Sequence, residues 1–187
     1  MAEWFEKRTL GNLLDVAVDQ FGSREALCFD NERWSFSEIR SHVDYLARGL
    51  IGAGVKPGDK VCLWMTNRPE WIYTFFAVAK IGAVLVPVNT RFRTTDMEYV
   101  LRQSDSSTLI TIDESGPVNY LDMIEELCPE IVLSEPSPLS LSKFPELKRI
   151  IVLGNNHLSG VIDWNELGRN MVSVEHYDDV QSSVDPD

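Results

Sequence analysis

The chain has 187 residues, 44% apolar and 25% charged, with 17 basic and 29 acidic side chains and a net charge of −12. At roughly 150 residues per domain this is one domain, or one and a piece, and such a chain can bury about 70% of its unfolded surface. A disordered tail, a collagen-like fibre and a disulfide-stapled mini-protein are excluded, and a nucleic-acid binder lacks its basic footprint here.

Thr9 is placed to cap a helix whose apolar stripe runs Leu10, Leu13, Leu14, Ala17, Val18 and Phe21, with Gly22 as its stop. Ala26-Leu27-Cys28-Phe29 and Trp34-Ser35-Phe36 flank the polar Asp30-Asn31-Glu32-Arg33 and read as a β-hairpin. Ser37 then caps a second helix, striped by Ile39, Val43, Leu46, Ala47, Leu50 and Ile51 and ended by Gly54. Pro57-Gly58 is a turn into Val61-Cys62-Leu63-Trp64-Met65, a continuous apolar run that suits a strand buried on both faces. Asn67 and Pro69 open a third helix reaching about Ile81, and Ala83-Val84-Leu85-Val86-Pro87-Val88 is the next strand. Thr95-Asp96-Met97-Glu98 has the form of a capping box, and Thr108-Leu109-Ile110-Thr111-Ile112 is a further strand. A helix is expected between Pro117 and Leu127, an irregular proline- and serine-rich stretch over 129–148, a fourth strand at Arg149-Ile150-Ile151-Val152-Leu153 and a short helix from Trp164. Strands alternating with helices through short connections predict an α/β fold, a largely parallel sheet flanked by helices with right-handed crossovers. Residues 1–177 are read as that domain, and residues 178–187 as an acidic, irregular end without a core.

The charge is uneven. Residues 1–112 hold 13 bases and 14 acids, whereas residues 113–187 hold 4 bases and 15 acids. Cys28, Cys62 and Cys128 have no CxxC spacing, which argues against a zinc site or a disulfide framework and for buried, reduced thiols. Met1-Ala2-Glu3-Trp4-Phe5-Glu6 lacks a basic region followed by an apolar run, and no apolar stretch approaches the ~18 residues of a membrane span, so a cytoplasmic chain is expected.

Most candidate motifs fail on context. Gly52-Ala53-Gly54-Val55-Lys56-Pro57-Gly58 is glycine-rich but follows a helix and precedes a strand, the reverse of a phosphate loop, and reads as a helix stop plus turn. His42 falls on a helix, His157 and His176 in loops, and none has a metal-ligand partner at the right spacing. The pairs Glu125/Glu126 and Asp178/Asp179 are expected to be solvated neighbours. A receiver domain would need acids clustered at strand ends, and a flavin-binding fold would need a phosphate loop after the first parallel strand; Met65-Thr66-Asn67 followed by Arg68-Pro69 supplies neither.

Three stretches are distinctive: Asn67-Arg68-Pro69-Glu70-Trp71, then Ala79-Lys80-Ile81-Gly82-Ala83-Val84-Leu85-Val86-Pro87-Val88-Asn89-Thr90-Arg91-Phe92, then Glu98-Tyr99-Val100-Leu101. Together with Trp34-Ser35-Phe36-Ser37-Glu38-Ile39, Leu46-Ala47-Arg48-Gly49-Leu50 and Gly58-Asp59-Lys60-Val61, they resemble the amino-terminal part of the adenylate-forming (AMP-binding) ligases, a family that includes acyl-CoA synthetases. The resemblance covers residues 9–112 well and 113–187 more loosely. Cys128-Pro129-Glu130 and the run 145–152 are most like the fatty and medium-chain acyl-CoA ligases.

The resemblance implies conversion of a carboxylic acid, ATP and CoA into acyl-CoA, AMP and pyrophosphate through an acyl-adenylate, with Mg²⁺. It also implies that the family's Ser/Thr/Gly/Lys phosphate loop, ribose-binding aspartate, aromatic adenine shelf and catalytic lysine are not in these residues. The chain is therefore expected to be a partial AMP-binding domain, inactive by itself and with no catalytic residue or metal ligand of its own. Arg91 is the one position carried over, as a contact to the CoA phosphates, for which a fixed fork of donors is suited. Arg93 is a weaker second candidate. The competing assignment for Arg91 is a surface residue or a partner of Asp96. Asn67 is read as a helix cap, and Trp71, Trp64 and Met65 as core. The alternative function is a non-catalytic interaction module derived from such a ligase, self-associating through surfaces left uncovered.

Overall fold

The computed structural model describes residues 9–185. The opening hexapeptide Met1-Ala2-Glu3-Trp4-Phe5-Glu6, on which the expectation of no leader rests, and residues 186–187 lie outside the described residues. The chain forms α1 (Leu10–Phe21), β1 (Glu25–Phe29), β2 (Glu32–Ser35), α2 (Phe36–Gly52), β3 (Lys60–Trp64), α3 (Pro69–Lys80), β4 (Val84–Pro87), α4 (Thr94–Ser104) and β5 (Thr108–Ile112). Then come a two-residue hairpin, β6 (Glu114–Ser115) with β7 (Val118–Asn119), α5 (Tyr120–Leu127), β8 (Arg149–Leu153), β9 (Ile162–Asp163) and α6 (Val174–Ser182). Two 3₁₀ segments, Pro129–Leu133 and Trp164–Asn170, join the later elements.

The main sheet has the order β4-β3-β5-β8-β9, all parallel. Cys62 of β3 lies between Val86 and Leu109 of its neighbours. Residues 61–65 are at most 2% exposed, as a strand covered on both faces requires. The chain leaves β3 toward one edge through α3 and returns across the sheet through α4. Right-handed crossovers in opposite directions place these helices on opposite faces. Accordingly α1, α2 and α3 pack together, and α4 packs with α5.

Local chemistry explains most boundaries. Thr9 Oγ1 accepts from the Asn12 amide at 3.2 Å. The cap of the second helix lies two residues before the predicted one: Ser35 Oγ accepts from the Glu38 amide at 3.3 Å, and Glu38 Oε2 accepts from the Ser35 amide at 2.7 Å. Ser35 and Glu38 have the Ser-x-x-Glu spacing of a capping box, which outranks Ser37. Ser35→Ala is expected to lower unfolding stability by about 1 kcal/mol, read as a lower urea midpoint at unchanged slope. Beneath the amino-terminal edge of the sheet, buried Arg149 donates to Thr108 Oγ1 and to the Gly54 carbonyl, each at 2.9 Å. Asp59 lies 3.8 Å from the same guanidinium.

The structure departs from the sequence reading at several places. Only Asp30 and Asn31 form the first hairpin's turn, with Asp30 at φ 52°. Residues 114–119 form the β6–β7 hairpin where a helix is expected from Pro117; Asn119 caps α5 by accepting from the Leu121 and Asp122 amides. The α4 box is shifted, with Asp96 Oδ2 accepting from the Arg93 amide at 3.1 Å. Residues 178–182 are helical rather than irregular, and His176 lies in that helix rather than in a loop. Helix α6 is capped by Ser173, whose Oγ accepts from the His176 amide, and it is anchored by buried Tyr177.

Candidate functional site

In an open parallel sheet the loops at the carboxyl ends of the strands converge where the strand order reverses direction. Here that point lies between β3 and β5, since β3 leads to β4 on one side and β5 to β8 on the other. The loops meeting on this rim are 65–68 after β3, 88–93 after β4, 113–117 after β5 and 154–156 after β8.

The 88–93 loop is held by its own backbone. The Val88 amide donates to the Leu63 carbonyl at 2.9 Å and the Phe92 amide to the Asn89 carbonyl at 3.0 Å. The Arg91 amide donates to Asn89 Oδ1 at 2.9 Å. Arg93 folds back, its Nη1 donating to the carbonyls of Thr90 at 3.2 Å and Phe92 at 2.8 Å. Arg91 is exposed, and among the described residues its guanidinium makes no ion pair. It does not pair with Asp96, whose carboxylate is engaged by the Arg93 backbone. Of the two candidate arginines, Arg91 makes no side-chain bond among the described residues, while Arg93 commits Nη1 to its own loop.

The rim behind this loop is structural. Trp64 is buried and meets Tyr120 edge-on, ring centroids 4.7 Å apart, and its carbonyl accepts from Thr111 Oγ1 at 2.8 Å. Met65 is core, as expected. Asn67 is exposed and caps nothing, because α3 begins at Pro69 behind an extended Arg68. Trp71 is only partly buried and stacks on Phe75 at 5.9 Å.

Asp113 at the end of β5 carries no signal in the sequence. Its carboxylate accepts from the amides of Glu114, Asn155 and Asn156 and from Asn156 Nδ2, at 2.8–3.2 Å. Burial alone would raise its pKa, but these donors outweigh burial and hold the carboxyl below the ordinary aspartate value. An ideal Cβ on Gly154 would stand 2.1 Å from Asp113 Cγ, so the carboxylate occupies the space that glycine leaves.

The other sequence candidates stay apart. His42 is exposed on α2, and His157 Nε2 lies 3.4 Å from Asp163 Oδ2. Glu126 accepts from Thr94 Oγ1 at 2.7 Å, and Asp178 and Asp179 are exposed on α6. Among the described residues no group of three or more His, Cys, Asp or Glu converges on a common point. The Gly52–Gly58 stretch is a helix end and turn into β3. Cys62 and Cys128 are buried, and burial pushes both thiols up to about 12; Cys28 is exposed, contrary to the expectation that all three are buried.

Residues 14–157 match the AMP-binding enzyme family. The chain belongs to that family. Among curated relatives, YngI of Bacillus subtilis, whose name places it with the acyl-CoA synthetases, is 35% identical over 96% of this chain and 33% of its own length. The mitochondrial medium-chain acyl-CoA ligase ACSF2 of Danio rerio is 31% identical over 94% of this chain and 29% of its own. The chain thus spans about a third of the length of the AMP-binding relatives it matches. Among solved structures, the N-terminal subdomain of Klebsiella oxytoca NpsA in complex with 3-hydroxybenzoyl-AMSN matches with TM-score 0.56 and 28% identity, over 59% of this chain and 28% of that one. The anthranilate CoA ligase AuaEII shares the fold with TM-score 0.73 at 24% identity, over 88% of this chain and 28% of that one. The α/β architecture read from the sequence is that of these adenylate-forming ligases.

Proposed function

We propose that this chain is the amino-terminal part of an ATP-dependent acyl-CoA synthetase acting on a fatty or medium-chain acid. The observation that carries the proposal is the match to the AMP-binding enzymes over residues 14–157, supported by the two acyl-CoA ligase relatives. A carboxylate is a poor electrophile because its charge repels nucleophiles and oxide is a poor leaving group. Attack on the α-phosphorus of ATP forms an acyl-adenylate and releases pyrophosphate, and the CoA thiolate then displaces AMP. Mg²⁺ offsets charge on the phosphates in such chemistry, and no described residue is assigned to hold it.

Within this reading the chain provides a scaffold and one binding group. Arg91, exposed, without an ion pair among the described residues and set on a loop fixed by its own backbone, supplies a guanidinium for the CoA phosphates. Arg91→Ala, in a ligase carrying this chain, is expected to raise KM for CoA about tenfold, the worth of one charge-assisted contact. Acid-dependent exchange of pyrophosphate into ATP should stay unchanged. Equal loss in both half-reactions would count against the CoA contact. The 187-residue chain alone is expected to show no acid-dependent pyrophosphate exchange; exchange above background would overturn the division of labour proposed here.

Cytoplasmic residence belongs to the same proposal. No helix among the described residues is long and apolar enough to cross a membrane, and the ACSF2 relatives are named as mitochondrial proteins. Fractionation of cells expressing the tagged protein decides between the two compartments.

One observation favours the non-catalytic alternative. Between α3 and the β4 edge lies an apolar groove of roughly 410 Å³ lined by Trp71, Phe75, Val84 and Pro87. An open strand edge beside an apolar groove invites a second copy of the chain. Sedimentation of the pure chain as a dimer would support self-association, and a monomer would remove this reading.

A further inference from the structure

A second groove among the described residues is not lined by Arg91. It encloses roughly 690 Å³, within the range of small-ligand and side-chain sites. Its walls are the β1–β2 turn, α2, the first turns of α3 and the 3₁₀ segment at Trp164. Five aromatic residues line it, namely Phe29, Trp34, Tyr45, Tyr73 and Trp164. Three carboxylates, Asp30, Glu32 and Glu70, stand among them.

The charge of the groove is negative after its internal pairings are taken out. Arg68 is the one basic side chain in the lining besides His42, and its Nε donates to Glu70 Oε2 at 2.8 Å. Among the described residues Asp30 and Glu32 make no ion pair, so two carboxylates remain available. The field of these acids is felt at the groove's floor. Burial, with Glu70, Glu32 and Glu38 nearby, pushes the Tyr73 hydroxyl up to about 12.

The aromatic walls are set in place. His42 stacks on Tyr73, ring centroids 4.7 Å apart and 13° from parallel. Tyr45 is packed so close to the 3₁₀ segment that a Cβ on Gly168 would stand 1.7 Å from its hydroxyl oxygen. Yet Tyr45 remains 48% exposed and Phe29 38% exposed. The carboxylates repel the phosphates of nucleotides and CoA, and aromatic faces held open to solvent beside them attract cations. A guanidinium satisfies both features, because it stacks flat on aromatic rings and offers paired donors to a carboxylate.

We propose that this groove is a docking site for an arginine side chain presented by a partner protein. The groove borders the strand-end rim through Arg68, but neither Arg91 nor Arg93 lines it. It stands whether or not the chain contributes to thioester formation. The charge of Asp30 and Glu32 makes the contact weaken with added salt.

The test is titration of the ¹⁵N-labelled 187-residue chain with a short glycine-flanked arginine peptide, followed through the tryptophan indole N–H signals. Trp34 and Trp164, assigned by Trp34→Phe and Trp164→Phe, are expected to shift. Trp64 and Trp71, which line no part of this groove, should not, and their signals report that the chain is folded. The same peptide with citrulline in place of arginine should bind about tenfold more weakly. Asp30→Asn combined with Glu32→Gln, which preserves side-chain shape, should weaken the arginine peptide by a similar factor while leaving the Trp64 signal in place. Equal binding of the citrulline peptide, shifts centred on Trp71, or no shift at saturating peptide would overturn the proposal. Tighter binding of spermidine or free arginine than of the peptide would assign the groove to a small organic cation and overturn the partner-protein reading.

Discussion

Replacing Lys80 with methionine is expected to lower the thermal midpoint of the chain by about 6–12 °C. Lys80 sits in the last turn of α3 with its side chain 2% exposed, and its Nζ lies 2.8 Å from both Asp15 Oδ1 and Asp44 Oδ1. The two carboxylates are 32% and 34% exposed, so they keep part of their hydration while the ammonium keeps almost none. Methionine preserves the length and packing of the side chain but leaves two carboxylates converging on an apolar methyl group. Removing one partner of a buried pair costs about 3–5 kcal/mol, and the partial hydration of the acids points to the lower end. For a chain of this size each kcal/mol is worth roughly 2–4 °C, which gives the stated range.

The loss should reach beyond α3. Tyr177 of α6 donates to Asp44 Oδ1 at 2.8 Å, and Gln181 Nε2 donates to Asp15 Oδ2 at 3.3 Å. Burial, with Asp44 beside it, holds the Tyr177 hydroxyl well above its ordinary pKa, so it stays a donor at all working pH values. Four helices are therefore tied through one ammonium. A calorimetric scan checks the midpoint, and hydrogen exchange in α6 checks the coupling: amides over Tyr177–Ser182 should lose protection in Lys80→Met before those of β3. A midpoint shift below about 2 °C would mean that the hydrated carboxylates need no counter-charge.

That network also shows where sequence reading stops. Largely apolar runs disclosed β3, β5 and β8, because strands covered on both faces are apolar except where a buried polar side chain such as Thr111 or Arg149 finds a partner. Helical stripes disclosed α1, α2 and α3 for the same reason, since each buries one face. Strand β9 has two residues and no periodicity to detect, and its pairing with Ile151 and Val152 depends on chain brought from elsewhere. Helix α6 has one deeply buried anchor, Tyr177, whose partner Asp44 is 133 residues away. No spacing rule connects residues 15, 44, 80, 177 and 181, so the buried cluster becomes visible only once the helices are packed. Arg91 entered through the motif around it, and the fold adds a physical reason to prefer it over Arg93: Nη1 of the latter is already held by two carbonyls of its own loop. The aromatic groove is likewise assembled from four separate stretches of chain, each of which reads locally as an ordinary turn or helix face.

Asp113→Asn is expected to cost about 2–3 kcal/mol near neutral pH and almost nothing in strong acid. Asp113 is 9% exposed, and its carboxylate accepts four hydrogen bonds, three of which join the end of β5 to the loop after β8. Hydrogen bonds to a charged group are worth about 1.5–3 kcal/mol each when lost singly. An asparagine oxygen keeps some of them, while its amide group must face backbone donors. The pH dependence follows from the depressed pKa. A carboxyl whose folded value lies below its unfolded value of 3.8 contributes stability that is fully present above that value and lost as pH falls through the folded value. Urea midpoints of the two proteins should therefore differ by a constant amount from neutral pH down to about pH 5 and converge below about pH 4, where protonated aspartic acid resembles asparagine. The amides of Asn155 and Asn156 should exchange faster in the variant at neutral pH. A gap in urea midpoint that persists unchanged into acid would show that the shape of the side chain, rather than its charge, holds the two loops together.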